Sequence, residues 1–326
     1  MKKIFLTIMI TAMLIFAGCT GEGGSSSSST SGGQTFKGGD KALELTFENG
    51  MPPAKILDQG KRPYQIRMKI KNEGEYSIED KKAHVVITGI DEANFNLVGK
   101  SSQELPAIRG YKKQGSQEIK GGEVMAMFSD VKYMADIFSG SMPVTFFADL
   151  CYPYETQVSS IVCINGDTSY KPEGELKVCD LEGTKSSTSS GAPVSIENVK
   201  QLYGGNDHSI MLNFDIVHKP TSTNSFLFER NSLDSKCKIG GVNPMSNVEK
   251  KNKVTYLIET EIGGKKFNCE NGLNQGTIIL SDNRYPVSCT LDTTSESEYN
   301  KPIKINLKYD YLERFEKTIT VEHYGN

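Results

Sequence analysis

Apolar and polar residues alternate along much of the chain with the two-residue period of strands that bury one face and wet the other. Tyr64, Ile66, Met68 and Ile70 alternate with Gln65, Arg67, Lys69 and Lys71, and Asn72-Glu73-Gly74 then supplies a turn. His84 to Ile90, Val124 to Phe128, Val144 to Tyr152 and Val158 to Ile164 continue the series as strands. Among them Val131, Met134, Ala135 and Phe138 recur at helical spacing, which predicts one short helix packed on the core. Further on, Ile210, Leu212, Phe214 and Ile216 alternate with Met211, Asn213, Asp215 and Val217. Val254 to Ile262 runs into a Gly263-Gly264 hairpin turn, and Ile303, Ile305, Leu307, Tyr309 and Tyr311 face away from Lys304, Asn306, Lys308 and Asp310.

The pattern lapses at Glu182 to Gly191, a Ser/Thr/Gly-rich stretch, and resumes at Ala192-Pro193-Val194. This predicts a first domain at 40–181, a linker at 182–191 and a second domain at 192–326. The halves read as diverged copies, because Leu150-Cys151-Tyr152-Pro153-Tyr154 matches Leu307-Lys308-Tyr309-Asp310-Tyr311. Short strands, frequent turns and duplication predict an all-β chain of two tandem Ig-like β-sandwich domains. The likeness to immunoglobulins is architectural only, since the chain has no Trp.

Before the folded part, Lys2 and Lys3 precede an apolar run from Ile4 to Phe16, then Ala17, Gly18 and Cys19. The run is too short for a span of about 20 residues and suits a signal peptide at 1–18. Phe16-Ala17-Gly18-Cys19 resembles the lipobox of prokaryotic lipoproteins, with Phe16 where Leu, Ile or Val is usual. That resemblance implies lipidation of Cys19 and anchoring to the membrane through the lipid. Gly21 to Gly33, with the run Ser25 to Thr30, offers no apolar residue to bury, and residues 19–39 read as a flexible tether of about 25 Å. The expected location is the cell envelope, on the outer face of a membrane.

The charge is balanced, with 37 basic and 40 acidic residues and no basic block, which argues against a nucleic-acid partner. His84, His208, His218 and His323 show no metal-binding pair spacing, and nucleophile-elbow, Walker and dinucleotide motifs are absent from the sequence. Asp215 and His218 could meet a metal with His208, and surface or satisfied histidines on strands are the simpler reading. Glu73-Gly74-Glu75 and Ser295-Glu296-Ser297-Glu298 read as solvated loops. No catalytic residue, cofactor or metal is therefore assigned.

Cys151, Cys163, Cys179, Cys237, Cys269 and Cys289 form an even set in an exported chain, which predicts disulfides; zinc would call for Cys-x-x-Cys pairs. Three lie on each side of the linker, so bridges within domains leave one cysteine over on either side. Those two join each other, stay free or pair with another chain. Symmetry of Cys151 and Cys163 about Gln157 in an expected hairpin pairs those two, position pairs Cys269 with Cys289, and Cys179 with Cys237 would then brace the domains.

Ala42 to Phe47, Gly50-Met51-Pro52-Pro53, Lys71 to Gly74, Cys151 to Thr156, Val162-Cys163-Ile164 and Gly191 to Val194 resemble uncharacterised archaeal-type surface lipoproteins. The resemblance covers most of the chain after the tether. It implies an envelope location and Ig-like domains, and no activity. The expected function is a non-enzymatic, lipid-anchored binding or adhesion protein with a protein or glycan partner at the cell surface. The rival expectations are a scaffold of an envelope complex and a hydrolase of envelope polymers.

Overall fold

A computed structural model describes residues 36–114, 117–165, 178–205, 208–260, 262–293 and 298–325. The signal peptide, Cys19, most of the tether and Ser295-Glu296-Ser297 lie outside the described residues. The first part of the chain forms β1 (Leu43–Phe47), β2 (Lys55–Leu57), β3 (Tyr64–Asn72), β4 (His84–Thr88), β5 (Ser102–Glu104), β6 (Lys112–Gln114), β7 (Gln117–Ile119) and β8 (Glu123–Val131). A long β9 (Ser141–Ile164) follows, then β10 (Gly183–Thr184), β11 (Ser187–Ser189), β12 (Val194–Tyr203), β13 (Ser209–His218) and β14 (Ser225–Phe228). The chain closes with β15 (Lys253–Ile258), β16 (Asn268–Cys269), β17 (Gly272–Leu273), β18 (Gln275–Ile279), β19 (Arg284–Asp292) and the equally long β20 (Tyr299–Glu322).

The alternation places its residues as expected: β3 buries Tyr64, Ile66, Met68 and Ile70, and β13 buries Ile210, Leu212, Phe214 and Ile216. The chain is all-β, built from antiparallel sheets apart from the parallel β2–β20 contact. The turn at Gly263-Gly264 closes with paired hydrogen bonds between Ile262 and Lys265, both glycines taking the positive φ that this tight turn requires. The helix expected over 131–138 is absent. Val131 ends β8, and the next residues are irregular, their backbone N–H groups bonding outside any helix: Met134 N donates to the Asn94 carbonyl at 2.7 Å and Ile137 N to Asp58 Oδ2 at 3.1 Å.

The centre is β9 against β20, paired antiparallel over all 24 residues from Ser141↔Glu322 to Ile164↔Tyr299. At about 3.3 Å per residue the pair runs on the order of 80 Å. One end of it, with β2, β4 and β5, faces the β1-β3-β8 sheet, where Phe47 meets Phe146 edge-on at 6.0 Å. The other end, with β11, β15 and β18, faces the β10-β12-β13-β19-β16-β17 sheet, where Phe214 meets Tyr256 at 6.1 Å. Each layered half therefore holds one end of both long strands. This corrects the expected partition: 156–164 lies with the second half, and 313–322 with the first.

Nor is 182–191 a bare linker. Thr184 pairs with Lys200, Ser187 to Ser189 pair with Ser160 to Val158, and Ser190 is buried. The two similar segments pair side by side, Tyr152 opposite Tyr311 and Tyr154 opposite Tyr309. Exchanging each tyrosine for its counterpart in the other copy maps one pair onto the other, which is the register of a local twofold axis.

Three disulfides are present: Cys151–Cys237, Cys163–Cys179 and Cys269–Cys289. Cys269 and Cys289 are direct cross-strand partners, as expected. The Cys151–Cys163 and Cys179–Cys237 pairings are overturned, because no hairpin exists at Gln157. β9 runs straight through it, which sets Cys151 and Cys163 about 40 Å apart along one strand. Parity still sends one bridge across the halves, and Cys151 makes it. Its partner Cys237 lies in the segment after β14, which covers the second face of β9 and β20 with a small cluster of Val86, Phe228, Ile239 and Leu312.

Candidate functional site

Where the halves meet, the gap between β4 and β11 along β9 leaves a cleft of about 420 Å³. Its floor comes from Glu155, Thr156 and Gln157 of β9 and Asn306 of β20; its walls are Glu75, Tyr76, Tyr111 and Ser190, with Lys112 and Lys113 of the β6–β7 hairpin at the mouth.

The acids in this cleft are held by their own fold. Glu75 Oε1 accepts from Lys37 N at 2.9 Å, and Oε2 accepts from Gly38 N at 3.2 Å and Gly191 N at 2.7 Å. One carboxylate thus pins Lys37 and Gly38 to the segment that joins the halves. Glu155 Oε1 accepts from Arg230 Nη2 at 3.2 Å and from the Tyr76 hydroxyl at 3.4 Å, with Lys308 Nζ at 4.0 Å. Arg230 also donates through Nη1 to the carbonyls of Tyr154 and Tyr309, at 3.0 and 3.3 Å, bracing the centre of the long pair. Burial raises the Tyr76 hydroxyl above its ordinary value, against a downward pull from Arg230. Gly74 is required here, since a Cβ would collide with the Tyr154 hydroxyl and the Gly191 carbonyl.

What the cleft offers a ligand is different in kind. Gln157 Nε2 makes only a long 3.5 Å bond to Asn306 Oδ1, and among the described residues Lys112 and Lys113 have no ion-pair partner. The ring face of Tyr111 is already covered by Lys37 Nζ, 5.0 Å from its centre. The available groups are amides and the cations of Lys112 and Lys113, since the Ser190 hydroxyl already accepts from Gln157 N at 2.9 Å. Glu75 has both oxygens taken up by backbone N–H groups, so it could act as base or nucleophile only by losing bonds that hold the seam, while the contacts of Glu155 all fall on Oε1.

No family model matches the chain, and no curated protein matches it. What the cleft can do follows from its own geometry.

The histidines fall apart as a group. Asp215 Oδ2 accepts from Asn198 and Arg284, while His218, three residues on, turns inward and meets the Tyr311 hydroxyl through Nε2 at 3.1 Å. His323 Nδ1 lies 3.0 Å from Asp58 Oδ2 and 3.5 Å from Asp136. Burial alone would raise the Asp58 carboxyl, but N–H bonds from Tyr324 and Ile137 and the His323 contact hold it below the usual range. This cluster ties the last strand to the bends that stand in place of the expected helix. Glu298, expected in a solvated loop, accepts from Cys179 N.

Several working residues carry no signature in the sequence: Glu75, Arg230, Asp58, and the pair Asp149–Arg314. Arg314 grips Asp149 with both Nε and Nη2, at 2.7 and 2.8 Å, from directly opposite it on β20. Only Asp149 gives a hint, because it interrupts the run Phe146 to Cys151, and a charge inside an apolar strand needs a partner.

Burial pushes the His218 imidazole down to about 4, against a small upward pull from Asn283. The sign follows: below an unfolded value of about 6.5 the unfolded chain binds a proton that the folded one refuses. Stability from this site is complete above pH 6.5 and falls toward pH 4, by about 3 kcal/mol. Glu313 and Asp310, both raised by burial, shift stability the opposite way, so the comparison must be with His218→Leu. The stability difference between parent and variant is expected to move by that amount against the parent on acidification. A difference flat with pH in denaturant titrations would show that His218 is not held neutral.

Proposed function

We propose that the protein is a lipid-anchored envelope protein, tethered through Cys19, that binds a glycan in the cleft between its halves without turning it over. The observation that supports binding is the division of labour in that cleft: both oxygens of Glu75 and Oε1 of Glu155 are held by the fold, while Gln157, Lys112 and Lys113 line the space. Amides and hydroxyls give and take hydrogen bonds at once, as saccharide hydroxyls do, and the lysines favour a chain bearing acidic groups.

The test uses the full chain extracted from membranes in detergent. It is expected to begin at lipidated Cys19 and to bind saccharides on an array. Gln157→Ala should weaken binding about fivefold, the value of one hydrogen bond near 1 kcal/mol. Replacing Lys112 and Lys113 by Ala should weaken binding of an acidic glycan and leave that of a neutral one unchanged. An unlipidated N-terminus elsewhere would defeat the anchor, and binding indifferent to all three changes would defeat the cleft.

The length of the β9–β20 pair favours a second reading, a spacer that holds a partner at fixed distance from the membrane. Cross-linking to neighbouring envelope proteins with no glycan binding would support it.

A further inference from the structure

Three side chains from distant parts of the chain converge just beyond the end of β20. Asp58 follows β2, Asp136 lies in the irregular segment between β8 and β9, and His323 is the first residue past β20. His323 Nδ1 stands 3.0 Å from Asp58 Oδ2 and 3.5 Å from Asp136 Oδ1, and one ligating atom of each residue lies within 4.8 Å of the other two. Atoms that share one small cation, each bonded to it at about 2.0–2.2 Å, sit roughly 3–4 Å apart. The two contacts of His323 already have that spacing. The Asp136 side chain, 44% exposed, has room to bring its carboxylate closer.

The backbone holds these groups in place without using them up. Asp58 Oδ1 accepts from Tyr324 N at 2.7 Å and Oδ2 from Ile137 N at 3.1 Å, while Asp136 Oδ1 accepts from Phe138 N at 2.6 Å. His323 N donates to the Gly140 carbonyl at 2.9 Å, which fixes the backbone from which the imidazole projects. A carboxylate oxygen has two lone pairs, so each of these oxygens keeps one for a further partner. The charges, moreover, do not balance. Asp58 is fully buried, where a carboxylate needs a cation beside it, and among the described residues only His323 comes within ion-pair reach of either acid. Lys61 Nζ lies over the Tyr324 ring instead, 4.8 Å from its centre. Even a charged His323 leaves two carboxylates facing one imidazolium.

A divalent cation beside a neutral imidazole cancels both carboxylates. It needs no water-sized hollow, because it takes the place of the proton in the bond between His323 Nδ1 and Asp58 Oδ2. Solvent reaches the set past Asp136 and can supply a further ligand. The imidazole nitrogen argues against calcium and magnesium, which take oxygen ligands. Soft ions call for thiolates, and the cysteines of the described residues are taken up in disulfides. Zinc accepts nitrogen and carboxylate oxygen together, with three protein ligands and a water. We propose that Asp58, Asp136 and His323 form a zinc site that clamps the end of β20 to the two segments packed against it. The site is independent of the anchor and of the cleft between the halves.

The probe is zinc chloride, titrated calorimetrically near neutral pH into the full chain in detergent after treatment with EDTA and dialysis. One zinc per chain is expected, and about a hundredfold excess over Kd should raise the thermal midpoint by about 5 °C. Asp136→Asn keeps the shape and the bond from Phe138 N, so metal-free unfolding should be unchanged while zinc affinity falls at least about tenfold. His323→Gln should abolish the midpoint shift, and His208→Gln, at an exposed histidine elsewhere, should leave it intact. No zinc-dependent shift in the parent overturns the proposal and leaves the cluster an ion pair. Zinc binding indifferent to Asp136→Asn and His323→Gln places the metal on other groups and overturns it as well. So does binding lost in His323→Gln but kept in Asp136→Asn, which reduces the site to a single histidine. A shift from calcium as large as that from zinc would make the site a pair of acids without the imidazole, and would overturn the choice of metal.

Discussion

Residues 192–326 produced alone are expected to stay unfolded, and to fold only when mixed with residues 36–191. The fragment keeps β20 but loses the strand beside it, since Gln157↔Asn306 to Ile164↔Tyr299 are pairs across the cut. Tyr154, Val158, Val162 and Ile164 leave with that strand, all of them fully buried. At about 1.5–3 kcal/mol per side chain, four such losses amount to roughly 6–12 kcal/mol. Natural domains have only about 5–15 kcal/mol to lose. The loss is therefore of the size of the whole stability, before any hydrogen bonds of the ladder are counted. Near-ultraviolet circular dichroism and chemical-shift dispersion read the outcome. A cooperative unfolding transition from 192–326 alone would show that the long pair is not essential to that half. Proteolysis of the intact chain should likewise spare 183–190, where the sequence suggests the easiest cut.

The alternation is enough to find the strands and the face each one buries, because burial of one face writes itself into every second residue. Which strands become neighbours is another matter. Pro153 lacks an N–H and resembles the end of a strand; it is accommodated because β4 stops at Cys151 and β11 starts at Val158, so no strand borders β9 on that side where the proline falls. With β9 split into two strands, the hairpin about Gln157 and the Cys151–Cys163 pairing follow from a turn that does not exist. The tyrosine repeat is visible, but sequence similarity says that two segments resemble each other and not that they are partners. The cleft is hidden for a related reason. Glu75 sits in a charged loop that looks solvated, and only the fold brings Lys37, Gly38 and Gly191 to it. Asn213 lies on the polar face of its strand as the alternation predicts, while its alignment with Lys200 and Ser288 depends on register alone.

Replacing Cys151 and Cys237 by Ala is expected to cost more than removing either other bridge. The closed segment is 86 residues, against 16 for Cys163–Cys179 and 20 for Cys269–Cys289. Loop-closure entropy then gives about 4–5 kcal/mol for the long bridge and about 3 kcal/mol for each short one. The long bridge also holds the segment after β14 over Val86 and Leu312, so its loss should bare that cluster to solvent. Urea denaturation of the three paired variants, each with its two cysteines replaced, measures the ranking, and binding of a hydrophobic dye reports the uncovered cluster. Equal losses for all three, with no gain in dye binding, would remove the special place given to Cys151–Cys237.

If the chain is tethered and holds a partner as proposed, it is pulled whenever that partner moves away. Strands joined end to end by a flexible linker would meet such a pull one hydrogen bond after another, like a zip. Here β9 and β20 overlap for their whole length and belong to both halves, so tension along them is divided among the bonds of all 24 pairs at the same moment. Survival under load is set by the rate of unfolding rather than by equilibrium stability, and a bundle of bonds sharing strain gives way slowly. A pull along the long pair would thus be met by both halves together.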